Sequence, residues 1–104
     1  MIELDIEELY DAIETLVIGL TDNDYKGRFK KGVALISEYK NNGGRQDIAY
    51  DKLRPLFVKY QETDEQKTDL IGDWLDCICG WVGNKEFSIW NMPMSVQDNV
   101  LSRQ

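Results

Sequence analysis

Residues 63–83, TDEQKTDLIGDWLDCICGWVG, predict a helix with one apolar and one acidic face. Thr63, with Gln66 three positions later, fits a capping-box pattern and starts the helix at about residue 64. At about 100° of rotation per residue, one side collects a core stripe. Its members are Leu70, Ile71, Trp74, Ile78 and Trp81, with Leu75 and Val82 at its margin. Gly80 and Gly83 are typical helix-ending residues, which places the end near residue 79.

The opposite side of this helix carries a row of carboxylates, the fourth-helix ridge. Its members are Glu65, Asp69, Asp73 and Asp76. Like charges three and four positions apart repel one another by a few tenths of a kcal/mol per pair, and Asp is a weak helix former. Lys67 is the one basic residue nearby, and helical spacing turns it away from the row. The ridge therefore breaks a local rule without visible compensation, so we single out its residues as candidate partner-binding residues.

Two cysteines near the end of the same helix raise the possibility of a metal or redox site. Cys77 and Cys79 project about 200° apart on a helix, so they cannot chelate one ion or bridge each other. The chain has no histidine and no second cysteine pair to complete a zinc site. We interpret both as buried or half-buried structural thiols, and we expect no metal and no cofactor.

Three earlier segments also show helical periodicity. Residues 2–20 form the first predicted helix, and residues 21–24 a turn and cap cluster. The second helix starts near Tyr25 and ends at residues 41–44, NNGG. A third runs from about residue 46 to 60, where Pro55 predicts either a kink or a split into two short helices.

The chain beyond residue 83 is less regular. Residues 86–90 predict an extended segment lying over the helices, and Ser95 is a candidate cap for a short last helix through Leu101. The whole pattern predicts an all-α fold: a compact bundle of about four main helices plus a short C-terminal helix, in one domain spanning residues 1–104.

The net charge and residue composition of the chain argue against several classes of function. The 104 residues carry a formal charge of −7, which argues against binding a phosphate backbone. The absence of histidine removes the most versatile proton-transfer group, and no established catalytic motif is present, so we do not expect an enzyme. An acidic N-terminus and short apolar runs predict neither a signal peptide nor a membrane span. We therefore expect a cytoplasmic protein with reduced thiols.

The first helix repeats the acidic pattern in a first-helix ridge of Glu3, Glu7, Asp11 and Glu14. Both ridges have an ordinary interpretation as solvated faces that keep the protein soluble. Residues 25–60 carry nine basic residues against three acidic ones, so Lys26, Arg28, Lys30 and Lys31 are candidates to neutralise one ridge internally. One basic helix neutralises two ridges only partly, and the surplus favours a partner with a basic surface.

Trp90 is the candidate aromatic anchor for that partner. It lies in an irregular segment rich in aromatic residues and methionine, a composition that suits an adaptable binding surface. Trp74 and Trp81, in contrast, lie on the core stripe. Closing the end of the helix bundle is the alternative role for Trp90.

The segments ELDIEELYDAIETLV (residues 3–17) and DLIGDWLDCICGW (residues 69–81), in a small acidic chain without histidine, resemble the all-helical immunity proteins of bacterial toxin systems such as contact-dependent growth inhibition. The resemblance covers overall character and transfers no individual residue. It implies a cytosolic inhibitor that binds a toxin domain, often a basic nuclease, with carboxylates standing in for phosphates.

A phage or plasmid regulatory protein, such as a nucleic-acid mimic, is the alternative function, and an enzyme with carboxylates alone comes third. The sequence leaves open the partner's identity, which ridge binds it, and the oligomeric state.

Overall fold

Four helices run through residues 5–80 and 89–90, the part of the chain that the computed structural model describes. They are α1 (Ile6–Ile18), α2 (Tyr25–Asn41), α3 (Gln46–Tyr60) and α4 (Glu65–Cys79). These residues include no strand, and the predicted all-α class is confirmed. The predicted C-terminal helix, most of the extended segment at 86–90, residues 2–4 and residues 81–83 lie outside the described residues. The predicted bounds of the first helix, 2–20, are wrong: Asp5 is an extended N-cap, so α1 begins at Ile6, and it ends at Ile18.

Aspartates cap two of the helices. The backbone N–H of Glu8 donates to Asp5 at 2.8 Å, and that of Asp5 donates back to the Glu8 carboxylate at 3.1 Å, forming a capping box on α1. The cap of α4 is Asp64, whose carboxylate accepts from the backbone N–H of Lys67 at 3.1 Å. The prediction of Thr63 as this cap is wrong by one position. The negative charge of the Asp64 carboxylate also interacts favourably with the positive end of the helix dipole. An uncharged threonine hydroxyl makes this interaction only weakly.

Glycines follow the ends of α2 and α4. Gly80 takes a left-handed conformation, with φ of 84°, and its N–H donates to the Asp76 carbonyl at 2.9 Å. Gly43 has a φ of 92° and follows α2 by two residues. Both angles are ones that L side chains rarely adopt, so these two glycines end the helices as predicted.

Pro55 lies inside α3, which continues through it as a single helix, so of the two predicted alternatives, a kink or a split, the split into two short helices is wrong. The proline ring removes the N–H that would have bonded to the carbonyl of Asp51. Asp51 and Pro55 are both exposed, so that carbonyl lies on the solvent side of the helix, where water is available to bond to it. The fold tolerates the missing backbone hydrogen bond because it lies on the solvent-exposed face of α3 and not in the core.

The core lies where all four helices meet. α4 packs against α3 and α2, and α1 packs against α2, α3 and α4. Every helix contributes fully buried apolar side chains: Leu9, Ile13 and Val17 from α1, Ile36 from α2, Leu53 and Leu56 from α3, and Leu70, Ile71, Trp74 and Ile78 from α4. The described part of the predicted core stripe is therefore buried, and Leu75 at its margin is buried as well. None of the four helices has the length and apolar character needed to cross a membrane.

Candidate functional site

The fourth-helix ridge is exposed along most of its length. Glu65, Asp69 and Asp73 are exposed, whereas Asp76 is half-buried. Successive members four positions apart are separated by about 6 Å along the helix axis. Within the described residues, no ion pair joins Glu65, Asp69 or Asp73 to a lysine or arginine. Three carboxylates therefore face solvent without a cation from the described fold.

Lys67, the nearest basic residue along the chain, turns away from the ridge as predicted. Its Nζ lies 3.3 Å from the carboxylate of Asp64 and 5.3 Å from the centre of the Tyr60 ring. Both contacts hold the ammonium beside the helix N-terminus and the end of α3. The ridge gains no neutralisation from its own helix.

Asp73 has a structural contact besides its place in the ridge. The Tyr25 hydroxyl, at the start of α2, donates to Asp73 Oδ2 at 2.6 Å. Burial raises the pKa of Tyr25 above its usual value, and the hydrogen bond to Asp73 and the charges of Asp73 and Asp69 raise it further. The phenol therefore remains a donor at neutral pH and fixes the position of the Asp73 carboxylate.

The first-helix ridge has a different environment, because α3 supplies cations to it. Lys52 Nζ lies 2.7 Å from Glu7 Oε2, and Lys59 Nζ lies 3.6 Å from Glu14 Oε2. The hydrogen bond to Glu7 raises the pKa of Lys52, and the charge of Asp11 adds to the effect. Glu3 lies outside the described residues. Two of the three described members of this ridge, Glu7 and Glu14, are therefore paired within the fold, whereas Asp11 forms no ion pair with a described residue.

The cations that pair with Glu7 and Glu14 are not the predicted ones. Arg28 Nε lies 2.7 Å from Oδ2 of Asp24, the N-cap residue of its own helix. Lys26, Lys30 and Lys31 form no ion pair with any described residue. Within the described residues, the prediction that the basic residues of the second helix pair with a ridge is wrong. Lysines of α3, which also packs against α1, pair with Glu7 and Glu14 instead.

The cysteines are buried, as predicted for structural thiols, with Cys77 and Cys79 each 1% exposed. Burial raises the pKa of Cys77 to about 12, and the charges of Asp73 and Asp76 add to the shift. The Cys79 thiol donates to the Asp76 carbonyl at 3.7 Å. A nucleophile or metal ligand must be a thiolate, and Cys77 is held as the thiol. Among residues 5–80 and 89–90, no group of three Cys, Asp or Glu side chains is placed to hold a metal ion.

Trp90 lies half-buried against the core. The preceding residue, Ile89, is buried and its backbone N–H donates to the Cys77 carbonyl at 3.1 Å. This bond brings the segment to the C-terminal end of α4, near Asp76 and far from Glu65. Part of the Trp90 side chain thus packs inside the fold, and only the remainder is available as an anchor.

Two surface features were not predicted from the sequence. One is the Tyr25 contact to the ridge, which depends on α2 packing beside α4. The other is an open groove between α1 and α2 with a volume of about 450 Å³. The helical spacing of Leu16 and Leu35 indicates apolar faces, but only the packing shows that these faces flank one groove.

No protein-family model, curated protein or solved structure matches the chain.

Proposed function

We propose that this chain is a non-catalytic inhibitor that binds a basic protein surface through the fourth-helix ridge. The contrast between the two ridges carries this proposal. Glu7 and Glu14 are paired with lysines of α3, whereas Glu65, Asp69 and Asp73 are exposed without such partners. A helix that keeps three repelling carboxylates on one exposed face is well suited to a cationic partner.

Electrostatics at long range supports the same function. A net charge of −7 attracts a basic partner and speeds encounter, and the ridge directs that attraction to one side of α4. On docking, lysine or arginine side chains of the partner replace the missing internal cations. Asp73 is positioned in advance by Tyr25, which lowers the entropic cost of forming its new pair.

We propose a bacterial toxin domain as the partner, so that the chain acts as a cytoplasmic immunity protein. The resemblance of residues 3–17 and 69–81 to helical immunity proteins supports this assignment. Carboxylates about 6 Å apart in a row can occupy a groove that normally holds phosphates, as in a basic nuclease. Masking that groove inhibits the toxin without any chemistry by the inhibitor.

The side-chain inventory supports a binding role over catalysis. The chain has no histidine, and the Cys77 thiol is held protonated. The exposed carboxylates lie on a convex helix face, whereas catalytic acids and bases usually work in a cleft that excludes water.

The proposal predicts that a toxin domain is encoded beside this chain's gene, and the test uses that domain, purified as a catalytically inactive variant. Isothermal titration calorimetry compares the wild type with the triple variant Glu65→Gln, Asp69→Asn, Asp73→Asn. We expect the triple variant to bind about 2–5 kcal/mol more weakly, and wild-type affinity to fall steeply with salt. The matched control is Glu7→Gln, Asp11→Asn, Glu14→Gln, which removes the same number of charges from the first-helix ridge.

The control variant should bind within a few-fold of the wild type and should still protect cells that express the active toxin. Equal affinity of the wild type and the fourth-helix variant at low salt contradicts the proposal. If no protein encoded beside the gene binds at all, the immunity assignment is wrong, and the ridge serves another basic partner or none.

A further inference from the structure

The groove between α1 and α2 combines an apolar lining with two opposite charges. Half-buried Leu16 and Leu35 and exposed Ala34 contribute apolar surface to it. Lys31 and Glu38, both exposed, line it as well. The groove is therefore apolar with one cationic and one anionic position.

Lys31 and Glu38 are seven residues apart on α2, which is two turns of helix and about 10.5 Å along the axis. They lie on the same face, and the midpoint between them falls between Ala34 and Leu35. Within the described residues, neither side chain forms an ion pair or a side-chain hydrogen bond. Glu38 is also the one acidic residue of α2.

This arrangement is self-complementary. If the α2 helix of a second copy lies antiparallel across the groove, a two-fold axis passes near Ala34 and Leu35. Lys31 of each copy then lies opposite Glu38 of the other, and the contact forms twice. A partner surface of uniform charge would instead meet one of the two positions with like charge, which is unfavourable.

We propose that the groove between α1 and α2 is a homodimer interface that receives α2 of a second copy in antiparallel orientation. Leu35 of each copy enters the groove of the other, and the short side chain of Ala34 permits close approach of the helices. The two Lys31–Glu38 pairs fix the register. The fourth-helix ridge lies on a different helix, so this inference is independent of the proposed inhibitor function.

Sedimentation velocity of the full, untagged chain over a range of concentrations tests the proposal. The wild type should show a concentration-dependent monomer–dimer equilibrium. Lys31→Glu and Glu38→Lys should each weaken the dimer by about tenfold or more, since each replaces two attractive pairs with two repulsive ones. The double variant, with both charges exchanged, should recover the wild-type dissociation constant within a few-fold.

Mixing the two single variants provides the sharpest readout. One variant carries two anionic positions in its groove and the other two cationic ones, so they should form a heterodimer in preference to either homodimer. Lys26→Glu is the matched control, because it makes the same charge change on another face of α2 and should leave the dimer unchanged.

Two results would overturn the proposal. The first is a wild-type chain that stays monomeric up to about 300 µM, a range in which a specific homodimer of ordinary affinity populates. The second is a dimer dissociation constant for Lys31→Glu and for Glu38→Lys that equals that of the wild type. If the chain is monomeric and the reversals instead weaken toxin-domain binding, the groove receives a helix of that partner and no homodimer forms.

Discussion

The indole of Trp74 occupies the space that a side chain on Gly32 would fill. A Cβ atom at Gly32 would lie 2.2 Å from Cε2 of Trp74, and the indole N–H donates to the Phe29 carbonyl of the same helix at 3.0 Å. The glycine allows α2 to approach the fully buried indole, and the hydrogen bond satisfies its one polar atom. This contact joins α2 to α4 beneath the fourth-helix ridge.

Replacing Gly32 by Ala should therefore destabilise the fold by about 2–3 kcal/mol, in spite of alanine's higher helix propensity, because the added methyl collides with a side chain that has no room to move. Urea denaturation followed by circular dichroism measures the change. The matched control is Gly27→Ala in the same helix, where a Cβ would meet nothing within 4 Å. It should be neutral or stabilising by up to about 1 kcal/mol. Similar stabilities for the two variants would mean that Trp74 moves freely.

The buried, hydrogen-bonded phenol of Tyr25 predicts a pH-dependent difference in folding stability between the wild type and Tyr25→Phe. At neutral pH the variant should be less stable by about 1 kcal/mol, and Asp73→Asn, which keeps an acceptor, should lose less. The raised pKa of Tyr25 makes its contribution fully present below pH 10, the ordinary tyrosine value. The contribution is lost as the pH rises above 10, since the unfolded chain then ionises first.

Urea denaturation of both proteins from pH 8 to pH 11 measures this difference. The other tyrosines are common to both chains, so the comparison isolates Tyr25. A stability difference that stays constant across this range would show that the pKa of Tyr25 is not raised in the folded protein.

The bounds of α2, α3 and α4 could be read from the sequence to within about one residue because local signals set them, whereas the capping box of Asp5 and Glu8 was missed and α1 begins four residues later than predicted. Helical periodicity, the NNGG segment and Gly80 act within a few residues of the ends that they define. The error at the start of α4 is also local: Thr63 and Asp64 are both good capping residues, and only the extended backbone of Asp64 shows which one caps.

The ridge environments could not be predicted in the same way. Periodicity places charges on a helix face, but the face's neighbours depend on how the helices pack. Lys52 and Lys59 are distant from the first helix in sequence, and they reach Glu7 and Glu14 because α3 lies beside α1. For the same reason, the donation from Tyr25 to Asp73, 48 residues apart, has no sequence signal.

Substitution of Pro55 by alanine should increase the stability of the protein. α3 runs continuously through this exposed position, so Pro55→Ala restores a backbone donor without disturbing the core. We expect stabilisation of about 1–2 kcal/mol, which is less than the full cost of an interior proline because the proline also restricts the unfolded chain. Thermal and urea denaturation would record the gain. A loss of stability would instead indicate that Leu53 and Leu56 need a bend imposed by the proline ring.

The buried thiol of Cys77 should resist modification in the folded state. Its pKa of about 12 leaves almost no thiolate at pH 8, and the side chain is only 1% exposed. Reaction with a disulfide reagent such as Ellman's reagent should be at least about a hundredfold slower in native protein than in denaturant. The raised pKa also predicts that stability falls as the pH rises from about 9 towards 12, because the unfolded thiol ionises first. Single Cys77→Ala and Cys79→Ala variants assign any residual reaction, and rapid native labelling would contradict the burial.

The two acidic ridges should respond in opposite directions when their charges are removed, even without a partner. Asp69→Asn relieves repulsion from Glu65 and Asp73 and should raise stability by a few tenths of a kcal/mol, and this gain should shrink as salt screens the charges. Glu7→Gln removes the acceptor of Lys52 and should lower the melting temperature at low salt. Scanning calorimetry at low and high salt separates the two cases, with Glu62→Gln, an exposed residue outside both ridges, as the control. If Asp69→Asn were instead destabilising, a cation of the fold would already compensate the fourth-helix ridge, and its carboxylates would not be available to a basic partner.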